Sequence, residues 1–434
     1  MLAKPVVGQD YEVNLVNSHD GFSLEVNAKN LAVNGINWDY IPIGENYDYD
    51  FWDECDHYIE MVLDQEMNLL KKMGVNTIRH YIGVPPEWIE YIYSEFGIHT
   101  ILNHPLGRYG HNLNNHWVKI TNYQDEQARN ILLNEIEQMA IRYKGTKGLL
   151  MYLLGNENNY GLHWKGAETQ NSPKEEIKLD QAKGLYTLHN QAAKIIKKIE
   201  PHKLTSICNG DLLYLDMMTS LCVDIDIIGA NVYRGKSFDN LFARLKNKVN
   251  KAFLLTEFGS DVLDNNTKLE NQYEQADYLK SNWLEIYSNF SGKGLSGNCI
   301  GGLTFQFSDG WWKHGQTKNL DVHDLAASWS NGGYKFDYIE GENNMNEEWF
   351  GVCAKKINDD DGITNSIPRA AYYVLQEIHA IDIYNEMISL KDLKKLFDKI
   401  DISEAVKKAG NHPKDQTLNS NGSHSKSSAP MQNK

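Results

Sequence analysis

The sequence predicts an α/β fold: a closed (β/α)8 TIM barrel preceded by a short β-hairpin and followed by a helical and disordered extension. Three observations predict it. Eight strand-like segments alternate with helical stretches along the middle of the chain, a pattern that builds parallel sheets. Some of these strands are continuous apolar runs, GLLMYLLGNE (148–157) above all, which suit strands buried on both faces. The first strand opens no GxGxxG turn, which argues against an open doubly wound sheet. One α/β barrel routinely fills about 250 residues or more, so most of this 434-residue chain fits a single large domain.

Taken in order, residues 11–30 alternate loosely around Asp20-Gly21 and read as a β-hairpin leading into the fold. LAVNGINW (31–38) is the first barrel strand. LDQEMNLLKKMG (63–74) has helical spacing and stops at a glycine. VNTIRHYI (75–82) is the second strand, and PPEWIEYIYSEFG (85–97) is a helix opened by proline and closed by glycine. IHTILN (98–103) is the third strand, 123–144 a long amphipathic helix and 148–157 the fourth strand. Residues 174–200 are helical, LTSIC (204–208) is a short strand, and VDIDIIGANVY (223–233) the sixth strand. Residues 236–250 are helical, AFLLTEFG (252–259) is the seventh strand, 269–288 the seventh helix and NCIGGLTFQF (298–307) the eighth strand. The last barrel helix is expected over 366–380, opened by Ser366 and Pro368. The predicted parts are therefore a lead-in over 1–30, a barrel over 31–385, and an extension over 386–434. Within the extension, 389–409 reads as one charged amphipathic helix, and the Ser/Asn/Lys-rich tail from Asn411 reads as disordered.

Composition narrows the partners. Lys and Arg number 43 against 58 Asp and Glu, a net charge of −15, which disfavours nucleic acid and anionic membrane surfaces. No stretch reaches the ~18 apolar residues of a membrane span. The N-terminus MLAKPVVGQDYEV has no apolar leader core, which fits a cytoplasmic chain and equally a secreted one whose leader has been cleaved. Five cysteines without CxxC spacing read as reduced core thiols. Fifteen histidines form no HExxH or similar cluster, and Asp359-Asp360-Asp361-Gly362 lacks the later glutamate of an EF-hand and reads as a solvated loop, so no metal or other cofactor is expected.

Chemistry in such a barrel sits at the C-terminal ends of the strands. Strand two ends in Arg79-His80-Tyr81, strand four in Gly155-Asn156-Glu157, strand six in Asn231-Val232-Tyr233 and strand seven in Thr256-Glu257-Phe258. Glu157 and Glu257 each follow an apolar strand, where a carboxylate is half desolvated and costly unless used or paired. Strands four and seven look at each other across the mouth, and a pair of carboxyls so placed suits glycoside hydrolysis. Asn156 is a candidate ligand for a sugar hydroxyl, and Arg79 and Tyr233 are candidates to align the nucleophile. Trp164, Trp311 and Trp312 are candidate flat faces for sugar rings. The segment 308–365, rich in Trp, Asp, Asn and Gly, is too long to be an idle connection.

KKMGVNTIRHY, GNENNYG, DIIGANVYRG and LLTEFGSD together resemble the retaining β-glycosidases of glycoside hydrolase clan A, barrels whose catalytic glutamates end strands four and seven. FSLEVNAKNLAVNGINW further resembles the opening of family 2 barrels. The resemblance spans roughly residues 20–380. It implies a hydrolase of β-linked oligosaccharide or polysaccharide with Glu157 as acid/base, Asn156 as 2-hydroxyl ligand, Glu257 as nucleophile, and Arg79 and Tyr233 as its supports. The β-1,3-glucanosyltransferases of the clan share a GVNTIR-like strand two, which leaves transfer to a sugar open beside hydrolysis. The clan's tryptophan at the end of strand eight is replaced by FQFSDGWW, so Phe305, Gln306 or Trp311 is left to take its place. That departure is the one feature favouring a carbohydrate-binding barrel without turnover. The β-sandwich domains of family 2 are absent from this sequence, which leaves endo or exo action open. Sugar identity and oligomeric state are not encoded in any motif.

Overall fold

The computed structural model describes residues 11–162, 179–358 and 362–410. Eight parallel strands close into a barrel in chain order. They are strand one Val33–Asn37, two Thr77–Tyr81, three His99–His104, four Leu149–Leu154, five Leu204–Gly210, six Ile227–Asn231, seven Ala252–Phe258 and eight Cys299–Thr304. Strand four pairs with five and strand eight with one, so the sheet keeps no free edge. All eight lie within a few residues of the positions that the apolar runs predict.

Strand parity explains those runs. Tyr152 and Leu154 pack outward among the helices, whereas Met151 and Leu153 fill the barrel with Ile101, Leu254 and Leu303. Both faces of strand four are therefore apolar, and its six residues are all buried. The helices Asp56–Met73, Pro86–Phe96, Glu126–Arg142, Leu179–Ile199, Leu241–Lys248, Gln272–Ser288 and Ala370–His379 form the outer ring. Their ends follow local chemistry: Gly74 and Gly97 close the first two in the left-handed region, and the Asp125 carboxylate accepts from Ala128 N to open the third.

The lead-in is a hairpin, Val13–Ser18 against Gly21–Val26, in register Val13 to Val26. Val13, Leu24 and Val26 join the cluster that fills the barrel, so the hairpin stoppers the end opposite the C-terminal ends of the strands. Gly21 permits the approach, since a Cβ there would stand 1.8 Å from the carbonyl oxygen of Gly297.

Three expectations are corrected. The last barrel helix starts at Ala370, because Thr364–Pro368 forms a strand antiparallel to Cys353–Ile357. Pro368 ends that edge strand rather than opening the helix, a position proline tolerates. Residues 389–409 make two helices, Leu390–Asp398 and Ile402–Ala409, because Asp401 turns back to accept from Ser403 N and Glu404 N and starts a second one. A seven-residue helix, Leu215–Leu221, lies between strands five and six where no helical pattern was read. Arg369 anchors the long segment after strand eight: it is fully buried and grips both oxygens of Asp309 at 2.8 and 2.6 Å. Glu270 adds a second carboxylate at 2.7 Å. Trp164, Asp359–Asp361, residues 174–178 of the fourth helix and the tail from Asn411 lie outside the described residues. Among the described residues, no helix is long and apolar enough to cross a membrane.

Candidate active site

The strand ends deliver their polar residues to one mouth. Arg79, at the end of strand two, is buried with its side chain 2% exposed, and a buried cation needs both an anion and a full set of acceptors. Its Nη1 reaches Glu257 Oε1 at 2.5 Å. The rest of the fork is used on Asn103 Oδ1 (Nε 2.9 Å, Nη2 2.5 Å), Asn156 Oδ1 (Nη2 2.9 Å) and Asn37 Oδ1 (Nη1 3.2 Å). Strands one, two, three, four and seven are thus tied together by one guanidinium.

Glu257 accepts a second bond at its other oxygen from the Tyr233 hydroxyl, at 3.1 Å. Burial pushes that phenol well above its ordinary range, and the charges of Glu257 and then Glu157 push it the same way, so Tyr233 stays protonated and donates. Its ring is held edge-on by Phe305, Trp329 and Phe350, with centroids 5.9–6.4 Å away.

Glu157 is placed by an unusual backbone. Gly155 has φ +82° and Glu157 itself φ +56°, a region that costs a residue with a Cβ about 1 kcal/mol or more. Local bonds impose it. Asn158 Oδ1 accepts from Asn156 N at 2.7 Å, its amide nitrogen is held by Leu106 O and the Tyr123 hydroxyl, and Glu157 N donates to Cys208 O at 3.0 Å. The GNEN spacing therefore makes a sharp turn that lifts the glutamate off strand four.

Asn231 joins the two halves of the site. Its Oδ1 accepts from Thr256 Oγ1 at 2.7 Å and from the Cys208 thiol at 3.1 Å. Burial raises Cys208 to about 12, so the sulfur keeps its proton. The amide can then face one way only, with Nδ2 donating to Glu157 Oε1 at 3.0 Å and to Asn156 Oδ1 at 3.1 Å. An unbroken chain runs Glu257–Arg79–Asn156–Asn231–Glu157. Asn156 Nδ2 donates one hydrogen to the Tyr109 hydroxyl at 2.7 Å and has a second to offer.

The structure therefore brings Arg79, Asn156, Glu157, Tyr233 and Glu257 together. It does not bring Trp311 with them: that indole is buried and stacked on His323, which stacks in turn on Trp349 at 3.6 Å. Phe305, not Trp311, stands against Tyr233 where strand eight ends. Trp312 lies half-buried beside Tyr47, and Trp164 is outside the described residues. Sequence reasoning missed Asn37, Asn103 and Asn231 as members of the site, together with Tyr81 and Tyr109. Their one signal was position, each lying at or just beyond a strand end. Among the described residues, no group of three or more His, Cys, Asp or Glu side chains is placed to hold a metal.

The two carboxyls are held from different sides of the mouth: Glu257 by the guanidinium of Arg79 and the phenol of Tyr233, and Glu157 by the amide of Asn231 among its contacts.

No protein-family model matches this chain, and no protein of curated function matches it either. Solved structures do. A Bacteroides uniformis β-glucuronidase superposes with a TM-score of 0.56 at 14% identity, over 85% of this chain and 37% of its own. A β-galacturonidase of glycoside hydrolase family 2 from Eisenbergiella tayi, solved with galacturonate, gives 0.52 at 14% identity, over 85% and 54%. A β-D-glucuronidase of Dictyoglomus thermophilum gives 0.52 at 15% identity, over 87% and 55%. The present chain spans between about a third and about half of these longer proteins. At this identity the likeness establishes a shared barrel fold and nothing finer.

Proposed function

We propose that this chain is a retaining β-glycoside hydrolase acting on β-linked oligosaccharide or polysaccharide. The observation that carries the reading is the pair of glutamates at the ends of strands four and seven, joined by Arg79, Asn156 and Asn231. The shared barrel of the β-glucuronidases and the β-galacturonidase supports it at the level of fold.

In the first step Glu257 attacks the anomeric carbon while the Glu157 proton passes to the glycosidic oxygen, so the C–O bond breaks and the leaving sugar departs as an alcohol. The product of this step is a glycosyl ester on Glu257 and an ionised Glu157. In the second step Glu157 takes a proton from water, the hydroxide attacks the same carbon, and the carboxylate of Glu257 leaves. Two inversions return the β configuration. Arg79 and Tyr233 hold the leaving and attacking carboxylate in both directions. The second hydrogen of Asn156 Nδ2 is available to the sugar 2-hydroxyl, a contact that tightens as the ring gains charge. A retaining pair stands about 5–5.5 Å apart, against about 6.5–9.5 Å when a water must fit between.

The test is chemical rescue. Glu257→Ala should lose turnover on every aryl β-glycoside the wild type cleaves, and added azide should restore part of it as the α-glycosyl azide. Near-normal turnover without azide would show that strand seven does not supply the nucleophile.

A further inference from the structure

We infer that Tyr47, Trp312, His314 and Gln306 form a second sugar-binding subsite on the glycone side of the mouth, so that the preferred substrate carries at least two sugars before the cleaved bond. This rests on the hydrolase reading above and adds the direction in which the substrate extends. The acid/base of that reading rises from strand four, so the leaving group lies on that side. In an eight-stranded barrel the opposite side belongs to strands eight and one. Any sugar beyond the one attacked is directed there.

That side carries an open aromatic cluster. Tyr47, in the loop after strand one, is 44% exposed. Its ring stacks on His314 at 5.9 Å and 24° and leans on Trp312 at 5.5 Å, both from the loop after strand eight. Buried aromatics need no outside explanation, but exposed ones gathered in one place mark a surface that something covers. The cluster is also fixed in place. Asn46 Nδ2 donates to Gln316 O at 2.9 Å and Gly44 N to Leu320 O at 3.0 Å, so the two loops are laced together just ahead of Tyr47.

Polar groups stand among the rings. A Cβ placed on Gly310 would lie 3.8 Å from both Gln306 Nε2 and Trp312 Nε1. Among the described residues, neither of these donors makes a hydrogen bond, and neither does the Tyr47 hydroxyl. Flat apolar faces with unspent donors at their edges match a pyranose, whose C–H face is apolar and whose rim is hydroxyl. Gln306 follows Phe305 directly, and Phe305 stands on the ring of Tyr233, which bonds Glu257. The cluster therefore continues the wall of the catalytic centre rather than forming a separate patch.

The experiment compares 4-nitrophenyl β-glycosides of monosaccharides with those of the matching β-disaccharides, for wild type, Tyr47→Ala and Gln306→Ala. Both variants change half-exposed or exposed side chains, and a melting curve checks that each folds. Wild type should show kcat/KM about tenfold or more higher on a disaccharide glycoside, and Tyr47→Ala should remove about tenfold from that substrate and less than about twofold from the monosaccharide, the share expected of one lost stacking partner. Equal losses on both substrates, or a wild type that prefers the monosaccharide glycoside, would overturn the subsite while leaving the hydrolase reading intact. Release of no chromophore from any glycoside would overturn both.

Discussion

Removing Glu257 should unsettle the fold as well as the chemistry, and by an amount the structure sets. Arg79 is 2% exposed, and among the described residues Glu257 is the one anion it pairs with. Breaking a buried ion pair from one side costs about 3–5 kcal/mol, because the remaining charge stays buried without its partner. The Glu257 side chain is 12% exposed at an open mouth, so water relieves part of the loss and the lower end, about 3 kcal/mol, is expected for Glu257→Ala. Glu257→Gln keeps an oxygen facing Nη1 and should lose less. Arg79→Met combined with Glu257→Ala removes both charges and should recover part of what Glu257→Ala alone gives up. Asn231→Ala, which removes the amide between Asn156 and Glu157 without touching the Arg79–Glu257 ion pair, loses bonds between an amide and its neighbours, each worth about 1 kcal/mol, and should cost less than Glu257→Ala. Urea unfolding followed by tryptophan fluorescence reads all four, compared at equal slope. If the double variant is no more stable than Glu257→Ala, then Arg79 does not depend on Glu257 for its charge and the ion pair is misread.

Two further outcomes follow from particular groups. Glu157→Ala should slow aryl glycosides with poor leaving groups far more than those with good ones, because only the former need the proton; a flat dependence of the loss on leaving-group pKa would count against an acid role. Glu66 is fully buried, accepts from Trp38 Nε1 and Ser366 Oγ at 2.7 Å each, and is raised by burial to about 7. Its ordinary value is about 4, so the folded state holds the proton more tightly. This contribution is complete below about pH 4 and is lost as pH rises through about 7. Glu66→Gln removes the titration, so its melting temperature relative to wild type should rise between pH 5 and pH 8. Parallel curves would show that Glu66 does not titrate in that window.

What the sequence disclosed depended on how directly each feature answers to periodicity. The barrel was legible because strands buried on both faces appear as plain apolar runs, and Tyr152 and Met151 are apolar for different neighbours. Glu157, Glu257, Arg79, Asn156 and Tyr233 could be placed together because a parallel barrel sends every strand's C-terminal end to one mouth. Asn37, Asn103 and Asn231 were passed over because asparagine after a strand usually signals a turn. Only three-dimensional placement shows Asn231 fixed by Thr256 and Cys208 and spanning Asn156 and Glu157. The two tryptophans of the long loop could not be told apart for a related reason. Trp311 and Trp312 are neighbours in sequence, yet one is buried on His323 while the other leans on Tyr47, and no spacing rule separates them. Pro368 signals a helix start and a strand end equally well, and the partner strand Cys353–Ile357 decides between them.

The central claim is that Glu257 forms a covalent bond to the sugar. A 2-deoxy-2-fluoro β-glycoside with a good leaving group slows both steps, the second more, and lets the intermediate accumulate. Incubated with such a reagent, the intact protein should gain the mass of one fluoroglycosyl group, and peptide mapping should place it on the Glu257 side chain. A label on Glu157 or on any other residue, or no label together with release of an α-configured product from the parent β-glycoside, would contradict the account.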